Sequence, residues 1–347
     1  MKVAIITDQH FGVKKGSKIY HDYFQRFYDE VFFPTLEEEN ISAVIDMGDT
    51  FDNRKVIDLL SLDWAKKNYY DRLERMKVHV WTVIGNHTAY YKNTNEFNTI
   101  NVVLNKYDNV TKIYDPLEVV FDGLQVLFVP WINEENKDLT MRMIKSSKAK
   151  VAMGHLELTG FSMYRGMVND EAGMDPNVFN KFDKVFSGHY HTRSDNGKIF
   201  YLGNPYQLYW NDVDDKRGFH IFDTETLQLK TINNPFELFK KIHYNDTNHQ
   251  LFDYRTCVDK YVKLIVEKKT SQAKYNKFVD KLLTSGAHEV KIIENIIVND
   301  LNDVNVDQIE DTVSMLKTYV DDVDTSLSKK SVMAYIEEIY REACEVG

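Results

Sequence analysis

Five places in the chain combine the residue types that bind metal ions: Asp8 with His10, Asp49, Asn86 with His87, His155, and His189 with His191. Each closes a short apolar run, and several stand beside glycine, which lets the backbone turn sharply enough to present a side chain to an ion. Imidazole, carboxylate and one amide oxygen suit borderline divalent ions such as manganese, iron or zinc, and disfavour an all-oxygen magnesium cage. A single histidine at a strand end is usually a satisfied structural residue, and that account serves for His79 and His220. It serves poorly for five of the 11 histidines lying at the ends of apolar runs. The spacing therefore predicts a two-ion centre in which Asp49 bridges both ions and the other junctions complete the ligand shell. Such a pair hydrolyses phosphate esters, because it neutralises charge on the phosphate and generates hydroxide from water near neutral pH.

These residues need elements that hold them at one end of a sheet. Residues 3–6 read as a strand whose alternation puts Asp8 and His10 on one side. Residues 43–45 read as a buried strand that breaks at Gly48, and a carboxylate there sits where open α/β sheets place their ligands. Residues 78–84 form a third strand ending in Gly85-Asn86-His87. Helices are expected over 20–38 and 57–76. In the first, the stripe Tyr20, Tyr23, Phe24, Phe27, Tyr28 and Val31 is core packing and not a cofactor box. Strand and helix alternate, which argues for a parallel or mixed α/β sheet. Residues 119–121 and 126–129 flank Asp122-Gly123 as a hairpin, and a helix follows around 139–146. Short strands at 151–153 and 184–186 lead into Gly154-His155 and Gly188-His189. Runs at 199–202 and 217–223 read as the later strands of a second sheet. The character changes near residue 242: strand 261–266, helix 271–284 and strand 289–298 form a small α/β unit. Amphipathic helices over 306–323 and 331–346 close the chain, suited to docking on a partner or packing on their own domain.

With 347 residues, 43% apolar and 28% charged, the composition is that of a soluble globular protein with one large domain and an appendage. No run is long and apolar enough to span a bilayer, and Val3-Ala4-Ile5-Ile6 is too short for a signal-peptide core. With only Cys257 and Cys344 no disulfide framework is expected, and cytosolic residence is the expectation that follows. The net charge of −10 is concentrated at one end: residues 300–347 carry 12 acids and 4 bases, the remainder 41 and 39. The acidity therefore does not exclude nucleic acid from the front of the molecule.

The order D-x-H, G-D-x-x-D, G-N-H, H and G-H-x-H resembles the calcineurin-like metallophosphoesterase superfamily. Within it, Gly48 to Asp52 and the later Gly203-Asn204-Pro205 are most similar to the SbcD-type DNA repair nucleases. The resemblance implies an α/β fold, a four-layer αββα sandwich of two mixed sheets over residues 1–235. It further implies a DNA-capping domain over 242–300 and C-terminal helices over 306–347 that bind an SbcC-like coiled-coil ATPase. Motif by motif, one ion would take Asp8, His10, Asp49 and His191, and the second Asp49, Asn86, His155 and His189. His87 would stand beside the scissile phosphate as the catalytic residue. The cofactors implied are two divalent ions, Mn2+ before Mg2+, and the activity a 3'-5' double-strand exonuclease and single-strand endonuclease in recombination and double-strand-break repair. A homodimer is expected and no membrane partner. Thr88 departs from the pattern, since an acid usually orients this histidine there; Asp52 is the candidate replacement, or Thr88's own hydroxyl holds the ring. Lys14, Lys15, Arg54, Lys55, Tyr90 and Tyr91 follow the ligand motifs and are candidates for DNA contact. Two other readings stand beside the nuclease: a phosphatase or small-substrate phosphodiesterase on the same scaffold, and a non-catalytic DNA-end scaffold.

Overall fold

The computed structural model describes residues 1–164, 167–169 and 173–294, with isolated positions between 320 and 336. The strands in chain order begin with β1 (Lys2–Ile6), β2 (Ala43–Asp46), β3 (His79–Val83), β4 (Ala89–Tyr91), β5 (Thr94–Asn98) and β6 (Val110–Ile113). Next come β7 (Leu117–Phe121), β8 (Leu124–Val129), β9 (Val151–His155), β10 (Phe161–Tyr164), β11 (Met167–Asn169), β12 (Lys184–Gly188), β13 (Ser194–Asp195) and β14 (Ile199–Tyr201). The last are β15 (Gly218–Asp223), β16 (Leu229–Asn233), β17 (Phe239–Asn245), β18 (Tyr261–Lys268) and β19 (Glu289–Glu294). The α-helices are α1 (Lys18–Phe27), α2 (Phe33–Glu38), α3 (Leu59–Ala65), α4 (Asp71–Arg75), α5 (Thr99–Val103), α6 (Lys137–Ser146) and α7 (Gln272–Leu283).

The protein is α/β with mixed sheets. One six-stranded sheet runs β16-β15-β1-β2-β3-β6, and a second runs β13-β14-β12-β9-β8-β7. Strands β1, β2, β3 and β6 are mutually parallel, as are β8, β9, β12 and β14. Parallel strands must be buried on both faces, and the burial follows. Val3, Ile5 and Ile45 of the first sheet share a core with Val126, Phe128, Val151 and Phe186 of the second. On its other face the first sheet meets Tyr20, Phe24, Phe27 and Tyr28, the predicted aromatic stripe. The outer face of the second sheet packs with Ile144 of α6 and with Phe179 and Phe182.

The predicted helices over 20–38 and 57–76 exist, each passing through one π turn, Tyr28–Phe32 and Lys66–Tyr70. The turns face one another, with the Tyr28 and Tyr69 rings 5.4 Å apart. The β7–β8 hairpin turns through Asp122 and Gly123, both at positive φ, the type I′ geometry that Asp-Gly favours. One expectation is corrected. Residues 218–223 do not belong to the second sheet: β15 runs antiparallel to β1 and lies in the first. Its alternating apolar residues fit either sheet, so sequence could not choose between them. The small unit is a three-stranded parallel sheet, β17-β18-β19, with α7 on it and a core of Ile242, Tyr244, Leu264, Phe278 and Leu282. Sequence reasoning missed its first strand, β17. The strand expected over 289–298 is described as far as Glu294, its remainder lying outside the described residues, as do the helices expected over 306–323 and 331–346 apart from isolated positions. Among the described residues no helix is long and apolar enough to cross a membrane.

Candidate metal centre

The five junctions all stand at the carboxyl ends of β1, β2, β3, β9 and β12, and the two sheets bring these ends together. The loops after β1 and β2 continue the sheet's pairing beyond the strands. Asp8 N donates to Gly48 O at 2.9 Å, His10 N to Asp49 O at 2.9 Å and Phe11 N to Thr50 O at 2.8 Å. His87 N donates to Asp49 Oδ1 at 2.8 Å, fixing the loop after β3. His189 N donates to the Asp8 carboxylate at 3.0 Å, which fastens the second sheet's loop to the first's. Glycine is required where these loops crowd: a Cβ on Gly85 would stand 2.2 Å from Asp49 Oδ1, and one on Gly48 2.4 Å from His155 Nδ1. Four of the donors have left-handed backbones, Asp8, His10, Asp49 and His189 with φ of 52°, 48°, 51° and 84°. That region is costly for residues with a Cβ and persists only where surrounding structure imposes it.

Among the described residues the donor atoms fall into three close groups, one of them His10, Asp52 and His87. Donor atoms of Asp8, His10 and His191 lie within 4.8 Å of one another, and so do those of Asp49, His155 and His189. Asn86 Oδ1 is 3.0 Å from His155 Nε2 and 3.1 Å from His189 Nδ1. His10 Nε2 and His191 Nε2 stand 3.1 Å apart. Two imidazole nitrogens each about 2.1 Å from one ion are about 3.0–3.4 Å apart at octahedral to tetrahedral angles, so the pair fits a shared cation.

The rings are held in the tautomers a cation needs. His10 Nδ1 donates to Asp52 Oδ1 at 3.0 Å and His155 Nδ1 to Met47 O at 2.9 Å, leaving each Nε2 lone pair toward the centre. Among the described residues His191 Nδ1 is buried without a hydrogen-bond partner. Electrostatics agree with a densely charged site. Burial raises the Asp8 carboxyl, partly offset by His155. Burial would raise Asp49 too, but the imidazoles of His155 and His87 hold it well below the usual carboxylate range. Burial would lower His155, yet Asp49 lifts it to about 9. Burial likewise opposes protonation of His10, and Asp52 reverses that to an upward shift. His191 is pushed well down, by burial first and then by His10 and Arg217.

His87 stands beside this cluster, its ring centroid 4.9 Å from that of His10. The orienting role expected of Asp52 or Thr88 is distributed differently. His87 Nδ1 donates to the main-chain carbonyl of Asp52 at 2.6 Å, while the Asp52 carboxylate holds His10. Thr88 is buried, with its hydroxyl bonded to Gly85 N and O at 3.0 Å each. The proposed DNA contacts divide. Lys14 and Lys15 are exposed in the loop before α1, and Lys14 Nζ lies 5.6 Å from the ring of Tyr209, which is parallel to His191 at 6.4 Å. Arg54 and Lys55 follow the Asp52 loop at the surface. Tyr90 and Tyr91 sit on β4, where Tyr90 packs edge-on against Phe97.

Sequence reasoning missed the groups behind the donors. Asp46 is fully buried and accepts from Gln9 Nε2 at 3.1 Å and Thr50 Oγ1 at 2.6 Å, and burial pushes its carboxyl up to about 7. It joins the loops after β1 and β2 from below, and a carboxylate at the end of the run Ala43-Val44-Ile45 was the signal for it. The Trp131 ring lies 5.1 Å from that of His189; nothing local in the sequence marks it.

Residues 1–193 match the family model for calcineurin-like phosphoesterases. Exonuclease subunit 1 of Enterobacteria phage T4 is 32% identical over 270 residues, which cover 77% of this chain and 77% of that protein. A solved archaeal phosphodiesterase aligns with 67% of this chain and 100% of its own at 14% identity, with a TM-score of 0.35. A dimetal phosphatase from Danio rerio aligns with 68% and 97% at 12% identity, with a TM-score of 0.42. Neither score reaches the level at which a shared fold follows.

Proposed function

The chain belongs to the calcineurin-like phosphoesterase family, and from that premise we propose that it is a two-metal nuclease hydrolysing DNA phosphodiesters. The observation that carries this is the convergence of two donor groups, Asp8–His10–His191 with His87 beside it and Asp49–His155–His189 with Asn86 against it. Asp49 would serve both ions. Two bound divalent ions, of the borderline kind that mixed nitrogen and oxygen donors suit and manganese by the family resemblance, would supply Lewis acidity toward a phosphate and a nucleophile drawn from water. The chain's own residues do the rest. Asp52 O fixes the Nδ1–H tautomer of His87, so Nε2 is the atom that meets substrate. In the doubly protonated ring that Nε2–H would donate to a phosphate oxygen or pass to the departing sugar oxygen, leaving the Nδ1–H tautomer behind. Lys14, Lys15, Arg54 and Lys55 would hold flanking phosphates by charge.

The same reading assigns 1–235 to a four-layer αββα nuclease core, supported by the core shared between the sheets and the helices on the first. Residues 242–300 would be the DNA-capping unit and 306–347 the segment that binds a coiled-coil ATPase, in a homodimeric assembly. The T4 relative is named as a subunit, which supports a partner of this kind. Exonuclease action is supported by the same relative's name, while the DNA substrate, the 3'-5' polarity and the single-strand endonuclease activity rest on the resemblance of the motifs.

His87→Ser tests the assignment. Manganese binding by calorimetry is expected to stay intact while DNA cleavage falls by about 10²–10⁴-fold. Unchanged turnover would remove His87 from the reaction. Efficient hydrolysis of small phosphate esters with none of DNA would favour a phosphatase.

A further inference from the structure

The donor His191 stands three residues beyond β12, in a loop that something must hold. We propose that Arg217 is the positioning residue that sets His191 against Asp8 and His10. The proposal rests on reading those three residues as one donor group.

Arg217 is 3% exposed and lies just before β15. Its Nη1 donates to the main-chain carbonyl of His191 and to Asn204 Oδ1. Its Nη2 lies 2.9 Å from Asp212 Oδ1 and 2.9 Å from Asp215 Oδ2. Asn204 N donates to the same His191 carbonyl at 3.2 Å. That approach explains the glycine of Gly203-Asn204-Pro205: at a φ of +70°, a Cβ on Gly203 would stand 2.7 Å from His191 O. The planar guanidinium serves the carbonyl and the acids at once, which a single ammonium cannot do.

Asp212 is itself anchored. Asp212 Oδ2 accepts from Leu208 N at 2.6 Å and Tyr209 N at 3.0 Å. Gln207 Nε2 donates to Asp212 O at 3.3 Å, and Gln207 Oε1 accepts from Leu238 N and Phe239 N at 2.8 and 2.9 Å. The chain of bonds thus runs from the His191 carbonyl to the start of β17. A buried ion cluster of this kind is weak evidence for added stability, since apolar replacements often do as well. What it supplies is a fixed place for one carbonyl. The other donor group is held within its own loops, by Met47 O on His155 Nδ1.

Manganese titration of the intact protein by calorimetry tests the proposal, with His191→Ala marking which of two sites depends on this loop. Arg217→Lys is expected to weaken that site by about 10- to 100-fold, the range found when residues supporting a ligand are changed, and to leave the other within about twofold. Asp215→Asn keeps Asp212 and Arg217 in place, so it folds even where Arg217→Lys does not, and should weaken the same site several-fold. Equal weakening of both sites, or unchanged binding in the folded variants, would overturn the role of Arg217. A wild-type protein that binds no ion pair would instead defeat the reading beneath it.

Discussion

The large and small units fill their interiors differently. Around the metal centre the large unit buries Asp8, Asp46, Asp49, His155, Asn204 and Arg217, none more than 3% exposed. The small unit buries Ile242, Val262, Leu264 and Leu282 with Tyr244, Tyr275 and Phe278, and the Tyr244 and Phe278 rings lie 5.1 Å apart. Buried charge is costly unless paired and hydrogen-bonded, whereas buried rings and aliphatics stabilise directly. The first interior is therefore organised for a reaction and the second for holding a shape. Substitutions that separate activity from stability test that contrast.

The largest effect is expected at Asp49. Asp49→Ala should slow DNA cleavage by about 10³-fold or more, equivalent to about 4 kcal/mol of barrier, because both ions lose a shared ligand. Thermal unfolding without metal should also come earlier, because buried His155 loses the carboxylate that pairs with it and His87 N its acceptor. Asp49→Asn keeps an acceptor for His87 N, so cleavage should fall with a smaller drop in melting temperature; equal drops in the two variants would break the contrast. Phe278→Ala comes next. Loss of a buried phenyl ring from the small unit costs about 3–5 kcal/mol, and hydrolysis of small phosphodiesters by the large unit should persist. Simultaneous loss of both would show one cooperative interior in place of two. The effect that is smallest near neutral pH is a titration. His220 lies buried on β15, and burial holds its imidazole down at about 3. The unfolded chain takes up this proton near pH 6.5 and the folded one does not. Stability is therefore lost as pH falls from about 6.5 toward 3, by at most about 1.4 kcal/mol per unit. His220→Gln should flatten that slope in acid unfolding curves, and an unchanged slope would assign it elsewhere.

The donors were legible because each sits where a short apolar run meets a loop, and their types specify one chemistry. The aromatic stripe from Tyr20 to Tyr28 was legible from its helical period. Less so was anything decided by tertiary packing. The strand at Phe239–Asn245 reads FKKIHYN, without clean alternation, and takes its shape from pairing with β18. The partners of His87 could not be read either: the motif position occupied by Thr88 suggested a side chain, and the structure supplies the Asp52 carbonyl. Main-chain partners leave no trace in residue type. The left-handed turns at Asp8, His10 and Asp49 were equally hidden, because nothing in an Asp or a His announces a positive φ.

The return of β15 to the flank of β1 has a practical consequence. Residue 2 pairs with residue 223, and the amino-terminal nitrogen is 2.8 Å from Thr224 Oγ1. The stretch 1–193 holds all seven proposed donors, yet on that side the amides and carbonyls of β1 would have no chain to bond. Trimming the molecule to its ligands would leave an open strand edge of the sort that zips onto neighbouring molecules. Covering that edge takes the chain on through β16 to Asn233, well past His191, the last of the proposed donors.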